Sequence, residues 1–382
     1  MKTIYFSRPT VEKEEIKEVI NTLKSGWLVS GPKVLEFEKR ISNYLGAKFI
    51  RVLNSCTSCL ELAILSFGFK NNSEIITTPF TFCATINAII HNNLKPVFAD
   101  IDKETFNILP NEILKKITKK TKAILLVHYG GLACDMDKIL DIKRKYNLKI
   151  IEDAAHAFGA EYKGKKIGNF SDITCFSFHA TKNLTTIEGG AIATNKKYLI
   201  DFINKAYFHG IDRDSYLRNF SWKYKVVYPG FKYNLADVSA ALGIVQLKKL
   251  DIFIRKRTEI ASIYNEFFLK NDYITLQKIP YSARHTYYLY PILIDIDRLK
   301  INRDQFIEEL RKKRIITSLH FIPIYKHPAY KNLFSKEDIE NLKNTEYVYN
   351  RIISLPIYPK LELKDVKYIA NTINRIIYKY AR

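Results

Sequence analysis

Residues 121–155 read "TKAILLVHYGGLACDMDKILDIKRKYNLKIIEDAA", and this stretch decides the fold class. It begins with a short, almost wholly apolar segment, continues with a helical pattern in "MDKILDIKRKYN", and ends with a second apolar segment, "LKIIEDAA". Short apolar strands that alternate with helices are typical of a parallel sheet covered by helices on both faces. The stretch therefore predicts an α/β fold.

The same alternation continues on both sides of this stretch. Strands are predicted at "FIRVLN", "SEIITTP", "KPVFAD", "DITCFSF" and "GGAIATN", and helices at "SCTSCLELAILSFG" and "FCATINAIIHNN". A second N-terminal helix should end at Gly46, a residue type that favours helix C-caps. A long helical segment over residues 234–268 leads into a C-terminal mixture of strands and helices. We expect a helical segment over 1–35, a large α/β domain over 36–250 and a smaller α+β domain over 251–382.

The charge of the chain is strongly positive but dispersed. The 382 residues include 61 lysines and arginines and 39 acidic residues, a formal net charge of +22. Because acidic residues interrupt many of the basic runs, the pattern does not indicate a dedicated nucleic-acid surface. Anionic small ligands such as phosphates or nucleotides suit this charge equally well.

The cysteines and the N-terminus indicate a cytoplasmic protein. Cys56 and Cys59 form a CxxC pair, which can mark a redox or zinc site, but no second pair accompanies it among the five cysteines. We expect reduced thiols and no metal. The N-terminus becomes charged too early for a signal peptide, and no run approaches the ~20 apolar residues of a membrane span.

Two predicted strand ends carry groups that can bind ligands. After "FIRVLN", the residues Cys56, Thr57 and Ser58 open a helix whose exposed amides and hydroxyls could hold a phosphate, although such residues are also routine helix caps. After "LKII", the carboxylate of Asp153 leaves an apolar strand, which is costly without a cationic partner. That partner could be a ligand such as a protonated pyridine, or an arginine of the chain.

A third strand end carries a lysine in unusual company. "FSFHATKNLTTIEGGAI", residues 176–192, places Lys182 five residues after Ser177, among hydroxylated residues and glycines. A lysine there could form a Schiff base and move a proton, although a solvent-exposed loop lysine is the alternative. A phosphate cradle, a buried acid and an isolated lysine on successive strands of one sheet are the parts that hold pyridoxal phosphate. Phe82 could stack on the flat cofactor or belong to the core.

With these parts in this order, the sequence strongly resembles the DegT/StrS-type nucleotide-sugar aminotransferases, a branch of the fold-type I pyridoxal-phosphate enzymes. The resemblance covers essentially the whole chain and rests on several long motifs in the right order. The strongest motifs are "EDAAHAFGAEYKGKKIGNFSDITCFSFHATKNLTTIEGGAI", "HYGGLACDMDKI", "GFKYNLADVSAALGIVQLKKLD" and "HFIPIYKHPAY". It implies a mostly parallel central sheet with helices on both faces and a smaller C-terminal α+β domain.

The resemblance also implies roles for individual residues. Lys182 would bind the cofactor covalently, Asp153 would pair with the pyridinium nitrogen, and Phe82 would lie over the ring. Ser177 and the turn Cys56-Thr57-Ser58 would bind the phosphate, where family members commonly have glycine in place of Cys56. His156 would lie near the cofactor hydroxyl and the substrate. The remaining positions are Asn234, which would reach the phosphate from the partner of a homodimer with shared active sites, and His320, Tyr325, Trp27 and Ser30, which would border the sugar.

The implied reaction moves the amino group of L-glutamate onto a 4-keto nucleotide sugar for cell-surface glycan synthesis, such as lipopolysaccharide. "GFKYNLAD" favours the 4-position over the 3-position, and a UDP-linked 6-deoxyhexose or pentose is preferred. A related branch dehydrates sugars and has histidine in place of the lysine, so Lys182 favours transamination. A non-catalytic regulator that binds nucleic acid is the remaining alternative, and no additional DNA-binding domain is evident.

Overall fold

The computed structural model describes residues 2–212 and 223–382. The strands are β1 (Phe49–Leu53), β2 (Glu74–Thr77), β3 (Lys95–Phe98), β4 (Thr121–Val127), β5 (Lys149–Asp153), β6 (Glu161–Tyr162), β7 (Lys165–Lys166), β8 (Ile173–Ser177), β9 (Gly190–Thr194), β10 (Ile274–Leu276), β11 (Ala283–Arg284), β12 (Tyr290–Ile294) and β13 (Ile352–Leu355). The helices are α1 (Lys13–Lys24), α2 (Pro32–Leu45), α3 (Cys56–Leu65), α4 (Cys83–His91), α5 (Pro110–Lys116), α6 (Met136–Tyr146), α7 (Lys197–Ala206), α8 (Asp237–Phe268), α9 (Arg303–Lys312), α10 (Lys336–Glu340), α11 (Lys343–Tyr349) and α12 (Leu363–Tyr380).

Seven strands form the central sheet, in the order β1-β9-β8-β5-β4-β2-β3. Their residues are almost all buried, as expected for a sheet covered on both faces. The predicted α/β class and the strand and helix positions are confirmed. Gly46 ends α2 in the left-handed conformation, with φ 76°, as its position in the sequence predicts.

One strand runs against the others. β9 is antiparallel to both of its neighbours, β1 and β8, whereas the remaining neighbours are parallel. No helix separates β8 from β9. Instead a loop over residues 178–189 turns the chain back, and its base is closed by a hydrogen bond of 2.8 Å from the Phe178 amide to the Gly189 carbonyl. The sequence predicts that the three strands with candidate ligand groups, β1, β5 and β8, are successive in the sheet. Instead β9 lies between β1 and β8, so only β5 and β8 of the three are neighbours.

A second hydrophobic core surrounds the antiparallel sheet β10-β12-β13. The 32-residue helix α8 joins this second core to the core around the central sheet. Its residues Ile244 and Leu250 pack in the core of the central sheet, and Tyr264 and Phe268 pack in the second core. The predicted boundary at residue 250 falls inside this helix. We propose that the chain divides there into a large and a small domain, with residues 1–35 packed on the outside.

Among residues 2–212 and 223–382, no helix combines the length and the apolar character that a bilayer crossing requires.

Candidate active site

A cavity of about 330 Å³ opens at the carboxyl ends of β1, β5 and β8. In an open α/β sheet this is the edge at which ligands bind. The walls bring together many of the residues that the sequence singled out: Cys56, Thr57, Phe82, Asp153, His156, Ser177, Lys182 and His320. These residues lie between positions 56 and 320 of the chain, and the fold brings them together at one edge of the sheet.

The turn from β1 into α3 forms one end of the cavity. Ser55 caps the helix by accepting a hydrogen bond of 3.1 Å from the Ser58 amide, so the first amides of α3, including those of Cys56 and Thr57, lie at an open helix N-terminus. The Ser58 hydroxyl instead contacts Ser55 and Asn54 and does not line the cavity. The helix dipole and the unpaired amides favour an anion at this turn.

The thiols at this turn are poorly suited to metal or redox chemistry. Burial, followed by the charge of Asp153, raises the pKa of Cys56 and of Cys59 well above the ordinary value. A thiolate is the form that binds metals and attacks disulfides. Both cysteines therefore behave as small apolar residues of α3, and each is unpaired.

Asp153 ends β5 with its carboxylate on the cavity wall and only 5% of its surface exposed. It accepts hydrogen bonds of 2.8 Å from the Thr85 hydroxyl and 3.1 Å from the Ala155 amide. Among the described residues, no lysine or arginine side chain forms an ion pair with it. Burial raises the pKa of Asp153 above the usual range, against the opposing effect of Thr85. A buried carboxylate in this state favours a cationic ligand in the cavity.

The neighbouring carboxylate, Glu152, has a different environment. It points to the opposite face of β5 and contacts His128, with 2.7 Å between Glu152 Oε2 and His128 Nε2. Nδ1 of His128 accepts a hydrogen bond from the Cys134 amide, so the ring proton lies on Nε2 and is donated to Glu152. Glu152 is thereby satisfied inside the protein, and of these two neighbouring carboxylates Asp153 is the one directed toward the cavity.

Lys182 lies in the loop between β8 and β9. Its amide donates a hydrogen bond to the His179 carbonyl, and Asn183 donates one of 3.2 Å to the Thr286 carbonyl, which anchors the loop. Lys182 Nζ lies 3.1 Å from the phenol oxygen of Tyr288 and 4.3 Å from the centre of its ring. Lys182 is thus a half-buried cavity residue and not a solvent-exposed lysine of the loop.

His156 faces the same cavity as a neutral side chain. Burial, followed by the charge of Lys182, lowers the pKa of His156 well below the ordinary value. Its Nδ1 accepts a hydrogen bond of 3.3 Å from the Gly130 amide, so the proton lies on Nε2. His156 can therefore donate a hydrogen bond to a ligand without bringing a positive charge.

Two buried histidines, His156 and His285, and the half-buried His320 predict a loss of stability in acid. Burial lowers the pKa of His285 and of His320 to about 3, and His156 shifts in the same direction. The unfolded chain takes up these protons near its ordinary pKa of about 6.5, whereas the folded chain does not, so the free energy of unfolding falls as the pH falls below that value.

Denaturant unfolding of wild type and His285→Gln at about pH 7 and about pH 5 measures this effect, because His285 does not line the cavity. Between these two conditions we expect the variant to lose about 1–2 kcal/mol less stability than wild type. An equal loss in both proteins would show that His285 does not remain neutral in the folded state.

The remaining predicted residues lie in different places. Phe82 is 60% exposed and projects from the wall at the start of α4. Tyr325 does not line the cavity, because its phenol donates to Glu346 at 2.7 Å. The other group is Trp27, Ser30 and Asn234, which are linked by hydrogen bonds from Trp27 Nε1 to the Ser30 carbonyl and from Asn234 to the Ser30 hydroxyl, and which lie off the wall of this chain's cavity.

Three residues of the site were not predicted from the sequence: Tyr288 and Phe321 line the cavity, and Thr85 lies behind its wall. Tyr288 contacts Lys182, Thr85 contacts Asp153, and Phe321 packs 5.7 Å from the His156 ring. Tyr288 lies in "YYLYPILIDI", whose apolar and aromatic residues predict only a strand, and Phe321 lies in "HFIPIY", where the resemblance marks His320 and Tyr325 and not Phe321. Thr85 lies in a helix whose composition indicates simple packing. No local signal distinguishes these three residues from core residues.

Comparison with known families and relatives agrees with this geometry. The model of the DegT/DnrJ/EryC1/StrS aminotransferase family matches residues 9–374. The chain is 37% identical to the UDP-4-amino-4,6-dideoxy-N-acetyl-β-L-altrosamine transaminase of Campylobacter jejuni, over 98% of each chain. It is 36% identical to the UDP-4-amino-4-deoxy-L-arabinose–oxoglutarate aminotransferase of Shewanella sediminis, over 97% of each chain.

Solved structures show the same architecture. PseC of Helicobacter pylori, an aminotransferase involved in pseudoaminic acid biosynthesis, superposes with a TM-score of 0.92 at 34% identity, covering 99% of this chain and all of that one. The putative sugar aminotransferase Spr1654 of Streptococcus pneumoniae is 31% identical. Its PLP form has a TM-score of 0.90 and covers 99% of both chains, and its PMP form has a TM-score of 0.91 and covers 98% of this chain and 99% of its own.

Proposed function

Because the chain belongs to the DegT/DnrJ/EryC1/StrS aminotransferase family and is a pyridoxal-phosphate-dependent sugar aminotransferase, we propose that it moves the amino group of glutamate onto the 4-keto group of a nucleotide sugar. The observation that carries this proposal is the shared cavity of Lys182 and Asp153. A lysine amine and a buried carboxylate that has no cationic partner within residues 2–212 and 223–382 face the same space, as pyridoxal chemistry requires.

The cavity residues fit the cofactor. The Asp153 carboxylate suits a protonated pyridine nitrogen, because a cation there would relieve its burial. The open amides of Cys56 and Thr57 and the Ser177 hydroxyl suit the phosphate, and exposed Phe82 suits the ring face. Pyridoxal phosphate, when bound, supplies a carbonyl that takes up the amino group and a ring that withdraws electrons.

The chain's own residues supply binding and proton transfer. We assign to Lys182 Nζ the removal and return of protons at the carbon that carries the amino group, first on the donor and then on the sugar. Neutral His156 donates a hydrogen bond from Nε2 and helps to orient the reacting groups. His320 lies on the cavity wall and is assigned to the sugar side, with Nδ1 held 3.1 Å from the Ser354 hydroxyl.

Gly190 allows the turn from β1 into α3, which is assigned to the cofactor phosphate, to approach the sheet closely. A Cβ atom at Gly190 in β9 would lie 2.7 Å from the amide nitrogen of Cys56 and 2.7 Å from the Ser55 carbonyl. Gly190→Ala must therefore displace the turn, at a cost of about 1–3 kcal/mol in stability. We expect at least about tenfold weaker binding of pyridoxal phosphate, measured by spectroscopic titration.

Gly164→Ala is the matched control for this variant. Gly164 has a φ of 73° but no heavy atom within 4 Å of the added Cβ, so this substitution strains the backbone without moving the turn. It should reduce thermal stability and leave cofactor binding unchanged. Equal cofactor affinity of Gly190→Ala and wild type would contradict the assignment of the turn to the phosphate.

The 4-keto UDP-sugar assignment is supported by the names of two relatives. Both the Campylobacter and the Shewanella proteins are named for UDP-linked 4-amino sugars, one a dideoxyhexose and one a pentose, and the second name includes oxoglutarate, the keto acid of glutamate. We assign the product to cell-surface glycan synthesis. A 3-keto acceptor is the second candidate. Dehydration is disfavoured, because that branch lacks the lysine found here at position 182.

The test is an amination assay with UDP-linked 4-keto hexose, UDP-linked 4-keto pentose and a 3-keto isomer, with glutamate as donor. Nuclear magnetic resonance of the product locates the new amine on the sugar ring. We expect the 4-keto compounds to be aminated at least about tenfold faster, as judged by kcat/KM. Preference for the 3-keto isomer would overturn the assignment of position and leave the reaction class unchanged.

We further propose a homodimer in which each site is completed by the partner subunit. Trp27, Ser30 and Asn234 lie off the cavity of their own chain, and the neighbouring segment exposes Leu28 and Val29. A second copy that covers this surface would bring Asn234 to its partner's site.

Hybrid dimers test the shared site directly. Lys182→Ala and Asn234→Ala subunits should each be inactive alone, but a mixed dimer contains one site with both native residues. Mixing the two after dissociation should restore up to about a quarter of the wild-type rate. Activity of Asn234→Ala alone, or no recovery on mixing, would contradict a shared site.

A further inference from the structure

Tyr288 is buried on the wall of the active-site cavity, just before β12. Its phenol oxygen accepts a hydrogen bond of 3.1 Å from Lys182 Nζ and lies 3.3 Å from the Thr181 hydroxyl. The residue therefore touches the amine to which the proton transfers are assigned, and it also has a second polar contact that leads away from that amine.

A further contact links Thr181 to His179 at the rim of the cavity. The Thr181 hydroxyl lies 3.0 Å from Nδ1 of His179, a residue whose side chain is 46% exposed. Nδ1 also accepts from the Thr181 amide at 3.4 Å, so the ring proton of neutral His179 lies on Nε2. Nε2 is 3.8 Å from the Glu188 carboxylate, at the exposed side of the ring.

We propose that Tyr288 and Thr181 form a proton path between Lys182 Nζ and the solvent-accessible imidazole of His179. In one passage, the Lys182 ammonium gives a proton to Tyr288 Oη, the phenol gives its own proton to Thr181 Oγ1, and the threonine gives its own to His179 Nδ1. The products are a neutral lysine amine and an imidazolium, which releases its Nε2 proton to water. No other reactant is needed, and the reverse passage protonates the lysine.

The surroundings of Tyr288 suit a group that passes protons. Burial would by itself raise the pKa of Tyr288, but the charge of Lys182, the hydrogen bonds of Thr181 and Lys182, and the charge of Arg257 outweigh burial and lower it. The other titratable neighbours, His156 with its ring 4.4 Å away, His320 and Tyr129, are neutral. The phenol therefore gives up its proton more readily than an ordinary tyrosine.

Arg257 positions this tyrosine. Its Nη1 donates hydrogen bonds to the carbonyls of Ile357 at 2.7 Å, Tyr287 at 3.3 Å and Tyr288 at 3.5 Å. It comes from α8, so the backbone of Tyr288 is attached to the helix that joins the two cores. The phenol is thereby held at a constant position relative to the Lys182 loop.

The proposal rests on the assigned role of Lys182, and one test does not require catalysis. In the cofactor-free protein, the ultraviolet difference titration of tyrosinate between wild type and Tyr288→Phe reports the ionisation of Tyr288. We expect this tyrosine to ionise at lower pH than an ordinary tyrosine, and at higher pH in a Lys182→Met background. Unchanged ionisation in that background would overturn the proposed coupling between the two groups.

The second test follows the change in visible absorption when glutamate is mixed with the cofactor-loaded protein, which needs no sugar substrate. Tyr288→Phe and His179→Ala should each slow this change by about 10- to 100-fold. Added imidazole should restore the rate of His179→Ala, because that end of the path is exposed. A structural role of His179 would not produce such rescue.

Tyr290→Phe is the matched control, because it removes a buried phenol that donates to Asn265 in the second core, away from Lys182. It should leave the rate unchanged. A wild-type rate in Tyr288→Phe, or a slow His179→Ala that imidazole does not rescue, would overturn the path. If wild type itself fails to respond to glutamate, the assigned donor is wrong, and the tyrosinate titration still decides the role of Tyr288.

Discussion

Replacing Lys182 by alanine is expected to reduce transamination by roughly a thousandfold or more. The variant loses the only amine that the described chain places on the cavity wall, and with it the group assigned to proton removal and return. The measurement is the visible absorption of the protein with pyridoxal phosphate, before and after glutamate. Wild type should show a band that glutamate changes, and Lys182→Ala should not.

A surface lysine provides the control for this substitution. Lys197 is 76% exposed at the start of α7, forms an ion pair with Asp201 and does not line the cavity. Lys197→Ala should behave as wild type in the same assay. Identical spectra and rates for wild type and Lys182→Ala would exclude the assigned role of the lysine.

Replacing Asp153 by asparagine is expected to have opposite effects on activity and on the stability of the cofactor-free protein. The amide keeps the shape: its oxygen can accept from the Ala155 amide and its NH2 group can donate to the Thr85 hydroxyl, but the charge assigned to the pyridinium nitrogen is removed. Activity should fall on the order of a hundredfold or more, because a preorganised charge at the reacting ring is lost. Cofactor affinity should fall with it.

Stability should change in the other direction. Burial raises the folded pKa of Asp153 above the unfolded value, so the ionised carboxylate destabilises the fold wherever the pH exceeds that folded pKa. Asparagine removes this penalty, and the cofactor-free variant should unfold at a higher temperature than wild type near neutral pH. In acid, below the unfolded pKa of Asp153, the difference should disappear.

Asp141→Asn is the control, since Asp141 is 67% exposed in a surface ion pair that contributes little to stability. It should change neither activity nor the melting temperature appreciably. A cofactor-free Asp153→Asn protein that melts below wild type would mean that the carboxylate is stabilised by the fold itself. Its assignment to a cationic ligand would then lose its physical basis.

Much of the fold could be predicted because its determinants are local. Apolar strands such as β4 and β5 and the amphipathic helix α6 are specified by the spacing of apolar residues, and the Gly46 cap by a single residue type. The reversal of β9 could not be predicted in this way. An apolar strand has the same pattern in either direction, and only the closed loop between Phe178 and Gly189 settles its orientation.

Some residues of the candidate site could likewise be predicted from local sequence, and others could not. Asp153 ends β5, the turn at Cys56 follows β1 and Lys182 lies in the loop after β8, so the sheet brings them to one edge whatever the details of packing. Tyr288 and Thr85 could not be identified, because a buried tyrosine or threonine has the same local pattern whether or not it contacts a reactive group. Tyr325 matches a family motif, yet its phenol is bonded to Glu346 and does not reach the cavity.

The sequence by itself therefore determined the α/β architecture and the family to which the chain belongs, and it predicted ligand-binding groups at three strand ends. Only the tertiary structure decided that Asp153 has no cationic partner in the described part of the chain, that His156 is neutral, and that Lys182 contacts a tyrosine 106 positions away. The physical reason is that periodicity and capping act over a few residues. Burial and the contacts that shift a proton depend on how distant segments pack against one another.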